Sequence, residues 1–330
     1  MTPGQYALVQ RLAGGDFVSG ETLGADMGIS RAAIWKQLQQ LQDYSLDVES
    51  VKGRGYRIPG GLDLLNKASI VGELCPQSRL CLTGMHLEPV LDSTNSWLLR
   101  QLAAGSVMPG TACLTEQQTQ GRGRRGRTWV SPFARNLYCS LSWEFEQGVA
   151  ALEGLSLAVG VATVVALEKL GLSGINLKWP NDLLWQGRKL GGVLLEITGD
   201  ASGLCQVVIG VGLNIEMPEP LAATIDQPWV NLAEIAGDTH GLPTRSRLAG
   251  VLLDEIILML CQFQQLGFTP FRAQWEACNA HAGQHVTMVT PTTQTSGLVL
   301  GINSRGGLRL QVDDAEQVFL GGEISLRGEL

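Results

Sequence analysis

Apolar positions in the first sixty residues fall at helical spacing and then give way to short β-prone runs. Ser19 can cap a short helix that turns Leu23 and Met27 inward, Gly28 makes a turn, and Ser30 caps a second helix over residues 31–42. On that helix Ile34, Leu38 and Leu41 form one apolar stripe, with Ala32, Lys36, Gln39 and Gln40 opposite. Trp35 lies at the edge of the stripe, where packing and surface contact are both open to it. Two helices about a single glycine have the spacing of a helix-turn-helix. Residues 48–58 then place two β-prone runs around a basic tip, Lys52-Gly-Arg54-Gly. A helix-turn-helix followed by a basic hairpin predicts a winged helix over residues 1–61, ending at Pro59-Gly60-Gly61. The alternative is a small interaction domain with a solvated hairpin.

From residue 62 to 280 helix-like and strand-like segments alternate, predicting a mixed α/β domain. Residues 150–170 read as a long apolar helix ended by Gly171, and 247–266 as an amphipathic one. Residues 193–197 and 207–213 are short apolar runs, hence buried strands. From residue 281 to 330 short alternating runs separated by Gly, Ser and Asp predict a small β-barrel of about five strands. The expected class is therefore α+β multidomain. The apolar run 154–167 falls short of the ~18 residues that span a bilayer, and the start lacks a basic segment before an apolar one; a core helix and no membrane association are expected.

Composition changes this picture little: 330 residues, 45% hydrophobic and 17% charged, belong to an ordinary globular protein. Seven cysteines without a CxxC pair point to a reducing cytoplasm rather than a disulfide or zinc framework. His281 and His285 have no acidic or thiol ligand nearby and read as surface residues. The net charge of −7 excludes a chain coated by nucleic acid, yet residues 1–60 balance six bases against six acids. Five of those bases fall where a winged helix meets DNA, and Arg31, Ala32, Lys36, Gln39, Gln40, Lys52 and Arg54 are the candidate contacts.

Candidate chemistry lies in the centre. Residues 121–127 read Gly-Arg-Gly-Arg-Arg-Gly-Arg. The match to GxGxxG is rejected, because Glu116-Gln-Gln-Thr-Gln120 precedes it instead of an apolar strand and no helix follows. Four like charges in a glycine-rich loop predict a segment that stays mobile until an anion neutralises it. That anion is a phosphate, unless the loop is simply solvated or touches nucleic acid. Lys178-Trp-Pro-Asn181-Asp182 and Arg188-Lys189-Leu-Gly-Gly192 add two lysines for anions, an acid for Mg²⁺ and a glycine pair that lets a ligand lie against the backbone.

GRGRRGRxW, KWPND and RKLGG, in this order, resemble the biotin–protein ligases, and the N-terminal winged helix with residues 321–327 (Gly-Gly-Glu-Ile-Ser-Leu-Arg327) is similar to the subclass that also represses biotin synthesis genes. The likeness covers essentially the whole chain. It implies a central domain like class II synthetase catalytic domains and a C-terminal SH3-like barrel. It implies ATP and biotin as substrates, biotinyl-5′-AMP as intermediate and corepressor, and the biotin carboxyl carrier protein of acetyl-CoA carboxylase as acceptor. Operator DNA would be a second partner, bound by a homodimer that forms with biotinyl-5′-AMP.

Residue by residue, the resemblance places biotin on Ser93, Thr94, Asn95, Gln118, Arg122, Gly123, Arg124 and Lys189. It places the adenylate on Arg124, Arg125, Arg127, Trp129, Lys178, Asn181 and Trp229, the metal on Asp182, and catalysis on Lys189, Arg122 and Arg124. Residues 216–229 would be a second mobile loop. Gln118-Thr119-Gln120 departs from the family's usual smaller residue before the loop. A lipoate–protein ligase, a ligand-sensing transcription factor with a dead enzyme domain, and a ligase that no longer represses are the competing readings.

Overall fold

The computed structural model describes residues 1–199, 203–218, 221 and 223–326. It begins with a helix the hydrophobic pattern did not announce, α1 (Pro3–Leu12). Thr2 and Gln5 cap it reciprocally: the Thr2 hydroxyl accepts from the Gln5 N–H, and the Gln5 side-chain oxygen accepts from the Thr2 N–H at 2.7 Å. α2 (Gly20–Met27) and α3 (Arg31–Gln40) are capped by Ser19 and Ser30, and Gly28 turns between them at φ 65°. α3 ends before residue 42, because the chain tightens into a 3-10 turn over Leu41–Tyr44. β1 (Glu49–Val51) and β2 (Gly55–Arg57) pair antiparallel as the wing. Leu8, Leu12, Leu23, Ile34, Leu38 and Leu41 close this unit's core, joined by Phe133 and Ala134 from the central region.

The central region is a seven-stranded sheet. In chain order its elements are α4 (Lys67–Glu73), α5 (Pro76–Cys81), β3 (Gly84–Leu91), α6 (Thr94–Ala103), β4 (Thr111–Gln118), β5 (Asn136–Phe145), α7 (Leu155–Lys169), β6 (Ile175–Lys178), β7 (Asp182–Trp185), β8 (Arg188–Gly199), β9 (Cys205–Asn214), α8 (Leu232–His240), α9 (Arg245–Leu266) and α10 (Arg272–Ala277). The strand order is β3-β4-β5-β9-β8-β7-β6, parallel only between β3 and β4. The two expected strands are longer than their apolar runs, because they pair with each other from Gly191–Leu213 to Gly199–Cys205. α7 starts later than the pattern predicts: Gly154 sits at φ 77° against the Phe268 ring, and a 3-10 turn (Val149–Leu152) precedes it. The helical stretch Val149–Lys169 is apolar and long enough to cross a membrane, but most of it is buried against α9 and the sheet, as a core helix is.

β10 (His285–Val289), β11 (Gln294–Ile302), β12 (Leu308–Val312), β13 (Ala315–Phe319) and β14 (Glu323–Leu326) form an antiparallel sheet ordered β13-β12-β11-β10-β14. The five expected strands are there, but β13 and β14 are its edges and no pairing closes them into a barrel among the described residues. Val286, Met288, Leu308 and Leu310 belong to the same core as the central sheet. His281, expected at the surface, is buried, because the turn carrying it is tied to β6 through Leu177 N–H to Cys278 O and Ala280 N–H to Leu177 O. All seven cysteines are free thiols. Arg327 lies outside the described residues.

Candidate functional site

One cavity of about 910 Å³ opens above β5, β9 and β8. Its floor is backbone. A methyl group on Gly210 would sit 2.4 Å from Asn95 Oδ1, and one on Gly212 would sit 2.8 Å from the Trp129 ring. Only glycine lets those side chains lie on the strand.

At one end, Ser93 caps α6 and the next residues turn inward, so Ser93, Thr94 and Asn95 are each 4% exposed. The Gln118 side-chain oxygen accepts from the Thr94 N–H at 3.0 Å. Ser140 Oγ lies 2.6 Å from both Thr94 Oγ1 and Asn95 Oδ1, and Asn95 Nδ2 donates to Glu196 at 2.9 Å. This is a small, fully hydrogen-bonded polar pocket, which can hold a neutral polar group by replacing the bonds it already makes.

The arginine loop joins β4 to β5. Its backbone is tied by Gly123 N–H to Arg127 O at 2.7 Å and Trp129 N–H to Gly121 O at 2.9 Å. Its four like charges each have an acceptor. Arg122 donates to Ser96 Oγ at 2.7 Å and to Glu196 at 3.1 Å, and Arg124 to Asn181 Oδ1 at 3.1 Å and the Gly322 carbonyl at 3.4 Å. Glu323 draws in Arg127 at 2.7 Å and Arg125 at 3.5 Å. These pairs are partly exposed and contribute roughly 0–1 kcal/mol each, so an anionic ligand can displace them. Burial pulls the Arg124 guanidinium below its ordinary pKa, partly offset by Glu323.

The far wall carries Lys178, Asn181, Asp182, Lys189 and Trp229. Lys189 Nζ lies 2.9 Å from Asp182 Oδ1 and 5.8 Å from the centre of the Trp129 ring. Trp229 is carried in by a parallel bridge to Lys189, with Lys189 N–H donating to Pro228 O at 2.9 Å. Of the predicted ligand contacts, Arg125 alone does not line the cavity: its backbone sits at φ 55° and its guanidinium points to Glu323. Asp182, where magnesium is expected, lines this wall of the cavity. That carboxylate is paired with the Lys189 ammonium, and no three His, Cys, Asp or Glu side chains gather among the described residues, so an ion there would complete its shell with phosphate oxygens. Residues 219, 220 and 222 of the second expected loop lie outside the described residues.

In the N-terminal unit Arg31, Ala32, Lys36, Gln39, Lys52 and Arg54 are exposed, as a DNA face requires. Gln40 is exposed as well, and its side-chain oxygen accepts from Gln5 Nε2 at 3.0 Å, which ties α3 to α1. Arg54 and Arg57 stack on the Phe17 ring at 4.1 and 4.5 Å.

Comparison with known proteins fits this division. Residues 5–57 match an HTH domain, residues 87–214 the Biotin/lipoate A/B protein ligase family, and residues 281–327 the Biotin protein ligase C terminal domain. The chain is 41% identical over 320 residues to the Bifunctional ligase/repressor BirA of Escherichia coli (strain K12), covering 97% of this chain and 96% of that protein. The chain belongs to the bifunctional biotin ligase/repressor family. It is also 33% identical to the Biotin--[acetyl-CoA-carboxylase] ligase of Paracoccus denitrificans, covering 70% of this chain and 98% of that one. A solved biotin protein ligase from Aquifex aeolicus in complex with biotin and ATP superposes with a TM-score of 0.62 at 28% identity, covering 74% of this chain and 98% of that structure.

Sequence reading missed several residues that hold the ligase/repressor site together. Ser140 and Glu196 sit on strands with no motif around them. Glu323 lies in the recognised Gly-Gly-Glu run, whose role in holding the arginine loop appears only when β14 is placed beside it. Arg245 and Glu116 form a buried ion pair 3% and 0% exposed. Arg245 also donates to the Asn136 carbonyl at 2.7 Å and the Asp63 carbonyl at 2.8 Å, while Glu116 accepts from Leu65 N–H at 2.8 Å. That junction lies beneath α1, where burial and the Glu116 charge push the Tyr6 hydroxyl up to about 12.

Proposed function

We propose that the cavity joins the carboxylate of biotin to the α-phosphate of ATP, then passes biotin to a lysine of the carboxyl carrier protein. The observation that carries this is the meeting of the buried Ser93-Thr94-Asn95 pocket, the arginine loop and Lys189 in one cavity. Biotin's polar ring group would occupy the Ser93-Thr94-Asn95-Gln118 end. Its carboxylate would reach Lys189, and the nucleotide would lie between Trp129, Lys178, Asn181 and Trp229, with Arg127 at the rim.

Two anions must meet for the first step, and at 4 Å each unit pair repels by about 4 kcal/mol at an effective dielectric of 20. Lys189, Arg122 and Arg124 offset this repulsion once the ligand displaces Asp182, Glu196 and Asn181 as their partners. A carboxylate oxygen of biotin attacks the α-phosphorus, the bond to pyrophosphate breaks, and pyrophosphate leaves. The acceptor lysine's amine then attacks the acyl carbon, AMP leaves with the C–O electron pair, and the amine loses a proton. The mixed anhydride hydrolyses in water, so the arginine loop serves as its lid. Asp182, once Lys189 turns to the ligand, would hold magnesium arriving with the triphosphate, where the ion would neutralise phosphate charge; no step is routed through it.

We read residues 1–61 as the DNA-binding unit, 62–280 as the catalytic domain and 281–330 as an SH3-like domain sharing the central core. Re-pairing the arginine loop onto biotinyl-5′-AMP would prepare a dimer surface, and two winged helices would read a palindromic operator. Two measurements test the whole. Pyrophosphate release with ATP should depend on biotin and not lipoate; equal response to lipoate, or none to either, overturns the ligase reading. Sedimentation velocity should show a dimer that tightens with biotinyl-5′-AMP, and an unchanged monomer–dimer constant removes the corepressor role.

A further inference from the structure

The chain has eight tryptophans, and Trp35 alone is exposed, with 55% of its surface open. It stands on α3 about a quarter turn from the buried stripe of Ile34 and Leu38, beside the exposed Arg31, Ala32 and Gln39. Nothing in the fold requires an indole there, since the core closes without it. A ring of this size, 55% open, gains free energy when a partner covers it. The surroundings say what kind of partner. α3 contains no acidic residue, and Arg31, Lys36 and the wing's Lys52 take part in none of the ion pairs found among the described residues. Such a face complements a polyanion.

We propose that Trp35 is the apolar reader of the DNA face, covering thymine 5-methyl groups in the major groove; this rests on the DNA-binding reading above. Lys36, Lys52 and Arg54 are suited to phosphates, which position a protein without reading sequence. Gln40 is engaged with Gln5, and Ala32 is too short to reach far. A side chain that distinguishes thymine from cytosine by its methyl group needs no hydrogen bond, only apolar surface at the right height. Trp35 supplies that surface, and its stem is fixed because Ile34 is packed in the core.

The test begins with selection from a random duplex pool by the full chain, with biotin and ATP present. The selected duplex is then remade with deoxyuridine in place of thymine, one position at a time. The wild type should lose about fourfold in affinity at each methyl that Trp35 covers. Trp35→Ala should bind thymine and uracil equally at those positions and select a degenerate base there. Trp35→Phe, which keeps an apolar ring, should retain part of the discrimination, and an unchanged unfolding midpoint in both variants excludes a folding defect. The inference is overturned if Trp35→Ala keeps the discrimination, or if it weakens all duplexes uniformly while selecting the wild-type sequence. A wild type that enriches no sequence overturns the DNA-binding reading and this inference with it.

Discussion

Between Gly121 and Arg127 every arginine has a partner: Glu196, Asn181, the Gly322 carbonyl or Glu323. On α3 and the wing, Arg31, Lys36 and Lys52 stand exposed without an ion pair among the described residues, and Arg54 rests on Phe17. In the proposed function both regions would meet phosphate. The difference follows from what each must do between ligands. A cavity that encloses a small anion gathers four guanidiniums into seven positions, and only acceptors on neighbouring elements make that density tolerable. An open surface spreads its charges, and water solvates them until a duplex arrives. Holding favours retention and exclusion of water; solvation favours fast, salt-sensitive association.

Burial grades the cations of the whole molecule, and the expected effects of removing them follow that grade. Arg245 is the extreme. Arg245→Met leaves Glu116 as a buried, unpaired carboxylate and should destabilise the fold by about 3–5 kcal/mol in urea unfolding. A double variant with Glu116→Gln should recover part of that loss. A loss well under 1 kcal/mol for the single change would mean that the junction beneath α1 is loosely held.

Lys189 comes next, only 16% exposed and paired with Asp182. Lys189→Ala should slow adenylate formation by roughly 10²–10³, the usual effect of removing one preorganised cation at a developing anion, without altering the fold. Pyrophosphate release at near wild-type rate would deny it a catalytic role. Arg124 lies at the boundary between buried and exposed. Arg124→Gly should raise the dissociation rate of biotinyl-5′-AMP by about tenfold and change its synthesis less, because a lid governs escape more than chemistry. An unchanged dissociation rate with a slowed chemical step would place Arg124 with Lys189.

How far the sequence foretold this contrast depended on whether a residue's partner was near it in the chain. Ser19, Gly28 and Ser30 shape their turns through neighbours a few positions away, so the helix-turn-helix was readable. The arginine loop and Lys189 were readable because glycines and charges crowd into short segments. Glu196 and Glu323 were not, since they lie 74 and 196 positions from the arginines they meet. Counting the loop's own charges therefore gave their mutual repulsion and not the two carboxylates that offset it. The Gln40 contact was hidden in the same way: helical spacing gave its exposed position, and only α1 supplies the Gln5 side chain that bonds it.

On the wing the expected effects are smaller and take a different form. Replacing Lys52 and Arg54 together by alanine should flatten the dependence of log affinity on log salt by about 2, one for each lost phosphate contact, with ligase activity intact. An unchanged slope would put the phosphate contacts elsewhere.

The smallest effect separates charge from placement. The Phe17 ring lies 4.1 Å from the Arg54 guanidinium and 4.5 Å from that of Arg57, which Glu49 also holds at 2.6 Å. Stacking on an exposed ring contributes about 0.5–1 kcal/mol, mostly by narrowing the positions that Arg54 explores. Phe17→Ala leaves every charge in place, so the number of counterions released on binding, and hence the salt slope, should stay as it is. Arg54 would have to be ordered at the moment of contact, and DNA affinity should fall about two- to fivefold at every salt concentration. Parallel lines on a plot of log affinity against log salt are the expected signature. If the slope falls instead, Phe17 is needed for Arg54 to reach phosphate at all; if affinity is unchanged, Arg54 makes no contact that its position on Phe17 helps to form.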